Sequence, residues 1–306
     1  MRWLLSAAVV VAIAVAGSAA VWWFRPPDAP PTVPAQVVRR PAFVIETATE
    51  QAIRDHVTAD LSVFRFADNP HILILDFASL RAQGKMLNRV AAFVEKAELP
   101  HSRVLTDGEL EAAIRAQGDT VETFYFGHDY AAASLARFFA LADSQGIALD
   151  PQEEKLRALL TQEGWLAPGV AAGVISLPAV GSDPRITAAV RAAILRHELS
   201  HGEFLSNPGY AEYVHDFWLT AMTGEERGAV RGFLAKADYD VREEELMFNE
   251  MQAYLMFTRD PTFITAEMVG LTDTRLAALR ARFLAGMPQG WLRNTLAAYQ
   301  DTTGPR

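Results

Sequence analysis

The sequence predicts an α+β protein in which a mixed α/β N-terminal region packs on a mostly helical half. Two observations indicate this class: strand-like apolar runs alternate with helical patterns up to residue 150, and helical periodicity dominates after it. The 306 residues, half of them hydrophobic, are enough for a sizeable buried core. One large domain and two modest domains both remain open.

The first 25 residues form an apolar segment. No charge occurs from Trp3 to Phe24, and these 22 residues, at about 1.5 Å each, can cross a hydrocarbon core of about 30 Å. Aromatic residues and Arg25 close the segment like an interfacial belt. We predict a transmembrane anchor at residues 1–25 that places the body outside the cytoplasm, in the periplasm or the extracellular space. A cleaved secretory signal is the alternative, since Ser18-Ala19-Ala20 offers small residues for cleavage.

Residues 26–42 are rich in proline and are predicted to form an extended linker. The following region, residues 43–150, is predicted to be mixed α/β, and its role is not indicated by any motif. Its predicted strands lie at 71–77 (HILILDF) and within 120–130 (TVETFYFGHDY). Its predicted helices lie at 86–97, 107–117 and 130–142.

Residues 151–306 are predicted to form a mostly helical region. Proline and glycine in Asn207-Pro208-Gly209, Asp260-Pro261 and Met287-Pro288 separate the helical patterns. The predicted helices are 151–163, 184–205, 209–221, 223–236, 241–258, 273–285 and 289–300. GVISLPAVG at 173–181 is the exception and is predicted to be one exposed strand.

Composition and missing motifs exclude several functions. The net charge of -9, without a Lys/Arg-rich run, argues against nucleic acid as a partner. The absence of cysteine excludes disulfides, thiolate metal ligands and a cysteine nucleophile. No G-x-S-x-G, G-x-G-x-x-G or G-x-x-x-x-G-K-[ST] pattern supports a serine hydrolase, a dinucleotide enzyme or a phosphate-loop ATPase.

The segment HELSH at residues 197–201 has the form H-E-x-x-H. Residues four apart on a helix are turned by about 40° and lie about 6 Å apart along the axis, so His197 and His201 can reach one cation. Their helical stripe is apolar and contains Val190, Ile194, His197, His201 and Phe204 or Leu205. Two inward imidazoles need partners, which a metal supplies. Glu198 lies about 100° round from His197, where its carboxylate could hold a water.

A catalytic zinc needs a third protein ligand and one open position. Glu250 interrupts the apolar stripe of the predicted helix 241–258, which otherwise contains Leu246, Met247, Ala253, Tyr254 and Phe257. A buried unpaired carboxylate is costly, and a cation would offset that cost. We interpret Glu250 as the third ligand. A buried Arg–Glu pair, or a carboxylate that caps a neighbouring helix, is the alternative.

HELSH and the later segment NEMQAY, residues 249–254, together resemble the gluzincin zinc metallopeptidases, with a thermolysin-like or anthrax-lethal-factor-like active site. The resemblance covers residues 173–258 and implies that the mostly helical half, residues 151–306, is a zincin-like catalytic region. It implies one Zn²⁺ per chain, held by His197, His201 and Glu250, with Glu198 as the general base. It also implies hydrolysis of a peptide or protein substrate, by an endopeptidase more than an exopeptidase.

Gluzincins commonly add a Tyr or His that donates to the developing oxyanion, and the resemblance points first to Tyr239, with Tyr254 and His215 as weaker candidates. In gluzincins the strand before the zinc helix binds extended substrate, which predicts this role for Val174–Leu177. Glu203 departs from the gluzincin pattern, because the residue two positions after the second histidine is usually uncharged in this family.

The metzincin extension H-E-x-x-H-x-x-G-x-x-H is absent, since Phe204 and Asn207 replace its Gly and third His. Two other functions stay open. One is a catalytically silent zincin-fold module that binds or regulates in the cell envelope. The other is an anchored scaffold without a metal. The sequence does not indicate the oligomeric state.

Overall fold

The computed structural model describes residues 43–96, 99–237 and 239–302. The predicted anchor at 1–25 and the linker at 26–42 lie outside these residues. Within the described residues, no helix combines the length and the apolar character needed to cross a membrane. Pro41–Arg306 form one compact unit.

Five strands form one mixed sheet in the spatial order β1-β2-β3-β5-β4. They are β1 (Ile45–Ala48), β2 (Leu61–Phe66), β3 (Ile72–Phe77), β4 (His128–Ala131) and β5 (Gly173–Pro178). The β1–β2 and β3–β5 pairs are parallel, whereas β2–β3 and β4–β5 are antiparallel. Every residue of β3 and β5 is buried, as expected for strands covered on both faces.

The position of β5 corrects one prediction. The segment predicted to be an exposed strand is hydrogen-bonded between β3 and β4, so Val174–Leu177 cannot add an extended substrate. Its unbroken apolar run reflects cover on both faces rather than an exposed edge. The edge strand on this side is β4. Because β5 follows residue 150 yet pairs with strands that precede it, the two predicted regions share one sheet.

Twelve α-helices surround this sheet within the described residues. They are α1 (Glu50–Asp55), α2 (Leu80–Val94), α3 (Asp107–Ala116), α4 (Ala132–Gln145), α5 (Pro151–Glu163), α6 (Ala188–Ser206), α7 (Pro208–Asp216), α8 (Gly224–Lys236), α9 (Glu244–Gln252), α10 (Ala266–Val269), α11 (Asp273–Gly286) and α12 (Trp291–Thr302). Two π-helical segments, Phe217–Ala221 and Ala253–Phe257, continue α7 and α9.

The α+β class is confirmed, and the helices with strong local start signals lie close to their predicted positions. Thr106, Asp150 and Thr223 each form a capping box at the start of α3, α5 and α8. The strand predicted within 120–130 is reduced to β4, because hydrogen bonds between Asp119, Thr120 and Thr123 turn the chain. β1, β2, α1 and α10 were not predicted.

The sheet is covered by helices on both faces. Leu73 and Leu75 of β3 face one apolar cluster, to which α2, α4 and α5 contribute. Ile72 and Ile74 face the opposite cluster, which contains Ile194, Leu195 and Leu199 of α6. A third apolar cluster is formed by residues from the helices α7 through α12. Alternation along β3 therefore places α6 directly on one face of the sheet.

Two contacts fix α6 on the sheet. A Cβ atom at Gly202 would lie 2.9 Å from two side-chain atoms of Ile72, so the absence of a side chain permits this close approach. Near the start of α6, the buried Arg191 donates to both carboxylate oxygens of Asp76, at 2.8 and 3.1 Å. Arg191 also donates to the backbone carbonyls of Ile53 and Pro178. His197 and His201 therefore lie on a helix whose position against the sheet is fixed by these contacts.

Candidate metal centre

α6 and α9 bring His197, His201 and Glu250 together, as the sequence predicted. Each offers one ligand atom, and these atoms lie within 4.8 Å of one another. The carboxylate of Glu250 lies 3.6 Å from Nε2 of each histidine, and the two Nε2 atoms are 3.0 Å apart. Two ligand atoms about 2.1 Å from a tetrahedral ion are about 3.4 Å apart, so these separations suit a single ion. This buried group could hold a metal ion.

Hydrogen bonds fix both imidazole rings through their other nitrogen. Thr258 Oγ1 donates to a backbone carbonyl and therefore accepts from His197 Nδ1, at 2.7 Å. Asn249 Oδ1 accepts from His201 Nδ1, at 2.9 Å. Both hydrogens therefore reside on Nδ1, and both Nε2 lone pairs point into the gap. Such outer hydrogen bonds orient histidine ligands in metal sites.

The charges around this gap indicate a site for a cation. Burial raises the pKa of Glu250 to about 7, although His201 opposes the shift. Burial lowers the pKa of His201, but the carboxylates of Asp129 and Glu250 outweigh it and the net shift is upward. Burial and the neighbouring His201 lower the pKa of His197 well below its ordinary value. The opposite shifts mean that a proton is held more readily on His201 than on His197.

Glu198 lies beside the histidine pair and against the chain that leads into β4. A Cβ atom at Gly127 would lie 2.1 Å from its Oε1, so only glycine leaves this carboxylate its position. Its Oε2 is buried and has no hydrogen-bond partner in the part of the chain that is described. Burial, assisted by Asp129 and Glu250, raises the pKa of Glu198 well above its ordinary value. A buried carboxyl with a free oxygen is suited to proton transfer.

Tyr239 and Tyr254 line the same cavity as His197 and Glu198. Their hydroxyl oxygens are 3.3 Å apart, and the Tyr254 ring meets the His197 ring edge to face at 4.7 Å. Burial raises the pKa of Tyr239 well above 10, so its hydroxyl stays protonated. Tyr254 packs against Phe233, as expected for a core residue, and also lines the cavity described below.

His215, the other weaker candidate for the oxyanion, does not lie with this group. It is exposed on α7, where its Nδ1 is 3.2 Å from a carboxylate oxygen of Asp216. Its ring also meets that of Phe248 edge to face. The arrangement is an ordinary surface pair, because consecutive residues at the end of α7 face solvent.

Sequence reasoning missed Asp129 and Thr258. Asp129 lies opposite Ile175 in the β4–β5 pair and so faces α6, where its carboxylate is 3.9 Å from His201 Nε2. Only the pairing of β4 with β5 determines this orientation. Thr258 reaches His197 because the chain after α9 is π-helical; its amide donates to the carbonyl of Ala253, five residues earlier.

Two cavities border the group. The aromatic cavity, about 510 Å³, is lined by His197 and Glu198. Its aromatic lining consists of Phe124, Tyr125, Phe126, Tyr239, Tyr254 and Phe263. The acidic cavity, about 310 Å³, is lined by Asn249 and Glu250 of α9 and by all but the first residue of β4. His197 lines the aromatic cavity and Glu250 lines the acidic cavity, so the group lies between the two cavities.

We compared the chain with protein-family models, with curated proteins and with solved structures. None of the three comparisons found a match. A function therefore has to be inferred from the geometry of the residues themselves.

Proposed function

We propose that the protein is a zinc-dependent metallopeptidase of gluzincin type that hydrolyses peptide bonds outside the cytoplasm. One observation carries the proposal. Two Nε2 lone pairs lie 3.0 Å apart, facing the carboxylate of Glu250, with the free oxygen of Glu198 alongside. Lone pairs at this distance repel each other unless a proton or a metal ion lies between them. Two histidines and one glutamate are the donor set of a catalytic zinc that keeps one open position.

The residues of the chain divide the work of hydrolysis. A bound zinc ion supplies Lewis acidity, because it polarises a carbonyl oxygen and makes water more acidic. Glu198 accepts a proton from the attacking water through its free oxygen and passes it to the leaving amine as the C–N bond breaks. The raised pKa of Glu198 favours the first transfer, because it makes the carboxylate a stronger base. Tyr239 donates a hydrogen bond to the developing oxyanion.

The edge strand β4 is proposed to align the substrate in place of β5. An extended peptide can add to an exposed sheet edge by main-chain hydrogen bonds. β4 lies beside α6, and its Asp129 faces the histidine pair. A peptide along this edge would pass the reacting groups in an extended conformation.

The location outside the cytoplasm is supported by the charge-free segment from Trp3 to Phe24. The lack of cysteine also suits an oxidising compartment. An external protease should degrade the body of the protein, or a reporter fused to it, in cells whose outer layer is permeabilised while the inner membrane stays intact. Protection of the body in cells with a permeabilised outer layer would place it in the cytoplasm instead.

Metal analysis combined with hydrolysis tests the activity. Purified protein should contain about one zinc per chain, and His197→Ala should lose it. Glu198→Gln should keep the zinc, while hydrolysis of a denatured protein falls by about 10²- to 10⁴-fold. Glu111→Gln, an exposed change of the same kind on α3, serves as the matched control and should keep both.

Two outcomes would contradict the proposal. Zinc without hydrolysis of any member of a peptide library would indicate a catalytically silent zincin-fold module. Metal-free protein whose melting temperature does not respond to a chelator would indicate that the buried group holds no metal at all.

A further inference from the structure

We propose that the acidic cavity is a specificity pocket for a lysine or arginine side chain of the substrate. This inference rests on the proposed peptidase function and names the substrate class of the same site. It is carried by the position of the cavity, the charge of its lining and the apolar part of its walls.

The acidic cavity lies beside the reacting groups. Asp129 and Ala131 of β4 line one side of it, and Asn249 and Glu250 of α9 line another. A peptide that adds to β4 alternates its side chains between the two faces of the sheet. One of its side chains, close to the bond that is cut, would therefore be directed between β4 and α9.

Carboxylates dominate the polar lining of this cavity. They are Glu95, Asp129, Glu243, Glu245 and Glu250. Glu250 is 4% exposed, and its Oε2, which has no hydrogen-bond partner within the described ranges, lies 3.6 Å from Nε2 of His197 on the metal side. His101 also lines the cavity, but its Nε2 lies 3.0 Å from the backbone carbonyl of Lys96. Even with Glu250 assigned to the metal, the exposed Glu243 and Glu245 remain to attract a cation. Glu95 and Asp129 are less exposed, and burial raises the pKa of both.

The remaining walls suit the stem of a long basic side chain. Val94, Leu205 and Leu246 line the cavity together with the carboxylates. Lysine and arginine bury their methylene groups against apolar surface and keep the charged end near polar partners. An aspartate or glutamate side chain would meet like charge here, and a short apolar side chain would leave the carboxylates without a partner.

The aromatic cavity is lined mainly by apolar side chains, in contrast to the carboxylates of the acidic cavity. This difference would fix the direction in which a peptide substrate lies across the site. The lining of the aromatic cavity is mostly aromatic and aliphatic, including Phe263, Ile194 and Val190. Arg185 lies over the Phe126 ring at 4.5 Å. An apolar side chain fits this cavity, so we expect a basic residue on one side of the cut and an apolar residue on the other.

Matched fluorogenic peptides test the inference. They differ only in one residue near the cut, which is arginine, lysine, norleucine or glutamate, placed at each flanking position in turn. At one position kcat/KM should be at least about tenfold higher for arginine or lysine than for norleucine, and lowest for glutamate. This preference should weaken between 50 mM and 500 mM salt, since exposed carboxylates contribute to it.

Variants at the rim of the cavity locate the preference. Glu243 and Glu245 are exposed, so Glu243→Gln/Glu245→Gln should fold normally. The ratio of kcat/KM for arginine to that for norleucine should fall several-fold in this variant. Glu111→Gln/Glu212→Gln removes the same charge from exposed positions elsewhere and should leave the ratio unchanged.

A binding measurement separates this inference from the peptidase proposal. The Glu198→Gln protein should bind an arginine peptide more tightly than its norleucine counterpart, even if no peptide is ever cleaved. That result would support the specificity pocket and contradict the peptidase proposal. Equal binding and equal cleavage of the two peptides would overturn the pocket. A second divalent cation that binds in place of the arginine peptide, and is lost in Glu243→Gln/Glu245→Gln, would also overturn it.

Discussion

The two ends of α6 differ from its middle in how their buried charged groups are satisfied. Near the start, the guanidinium of Arg191 is paired with Asp76 and with backbone carbonyls. Near the end, the carboxylate of Glu203 accepts hydrogen bonds from Asn69, Trp291 and Asn207. In the middle, Glu198 has an oxygen without a partner among the described residues. Glu250, which faces the middle from α9, has another.

This difference separates charges that are paired within the fold from charges that could bind a cation. Buried polar groups are ordinarily hydrogen-bonded, and each exception needs an explanation. The ends of α6 obey this rule and hold the helix on the sheet. At the middle of α6 two buried carboxylates, those of Glu198 and Glu250, each have an oxygen without a hydrogen bond. The Nε2 lone pairs of the two histidines also face each other there, and this arrangement lowers stability unless a cation binds. Glu203, the departure from the gluzincin pattern, belongs to the charges that are paired within the fold.

Arg191→Met should have the largest effect on stability. It leaves the fully buried Asp76 without its main partner, and breaking a buried ion pair costs about 3–5 kcal/mol. Chemical denaturation measures the loss. Arg115→Met, which removes an exposed pair with Glu111, should change the unfolding free energy by less than about 1 kcal/mol. The double variant Arg191→Met/Asp76→Asn should recover part of the lost unfolding free energy. If it does not, the unpaired charge of Asp76 is not the cause of the loss.

Glu250 should make the metal-free protein less stable as the pH rises. Its pKa in the folded state is about 7 against 4.5 in the unfolded chain, so the unfolded state releases the proton first. The unfolding free energy should therefore fall between pH 4.5 and 7, by at most about 3 kcal/mol from this group. Urea denaturation at several pH values, with a chelator present, measures it. Parallel profiles for the natural protein and Glu250→Gln would contradict the assignment.

Gly127→Ala should reduce activity more than stability. The added Cβ displaces the carboxylate of Glu198, which is the end of a flexible side chain and can move at low cost. A shift of about 1 Å in a catalytic group can cost about 10²-fold in rate. Peptide hydrolysis and zinc content are measured together, and zinc should be retained. Gly108→Ala, where a Cβ has no described atom within 4 Å, is the control and should keep full activity.

Asn249→Ala and Thr258→Val should have the smallest effects. Each removes the acceptor that orients one imidazole, and such changes typically weaken metal affinity by about 10- to 100-fold. Competition with a coloured chelator measures the affinity. Ser182→Ala removes a hydroxyl from a loop outside the site and should leave it unchanged. Affinities equal to that of the natural protein would show that the rings are oriented by packing alone.

Helical periodicity identified the inward faces of α6 and α9 correctly. His197 and His201 share one face because their spacing matches the helical repeat, and Glu250 was noticed because a charge interrupts an apolar stripe. The same approach failed for the end of α9, which was predicted to be regular to residue 258. In the π-helical turn each hydrogen bond spans five residues instead of four, and no local sequence pattern predicts this change.

Strand order was also beyond the sequence. The apolar run of β5 predicts a strand but not its neighbours, and its central position was mistaken for an exposed one. Asp129 was overlooked for the same reason, since a single aspartate in a short strand gives no sign of which face it occupies. Its contact with His201 depends on register with β5.

The sequence by itself determined the elements that carry the ligands: two histidines on one helical face, a glutamate on another, and capped helices around them. The tertiary structure decided which other groups meet these ligands. Asp129 and Gly127 come from one distant part of the chain and Thr258 from another, and only the packing of α6 between β4 and the π-helical turn brings them to His197, Glu198 and His201. Local patterns follow from the backbone repeat, whereas convergence across distant segments follows from burial of the whole core.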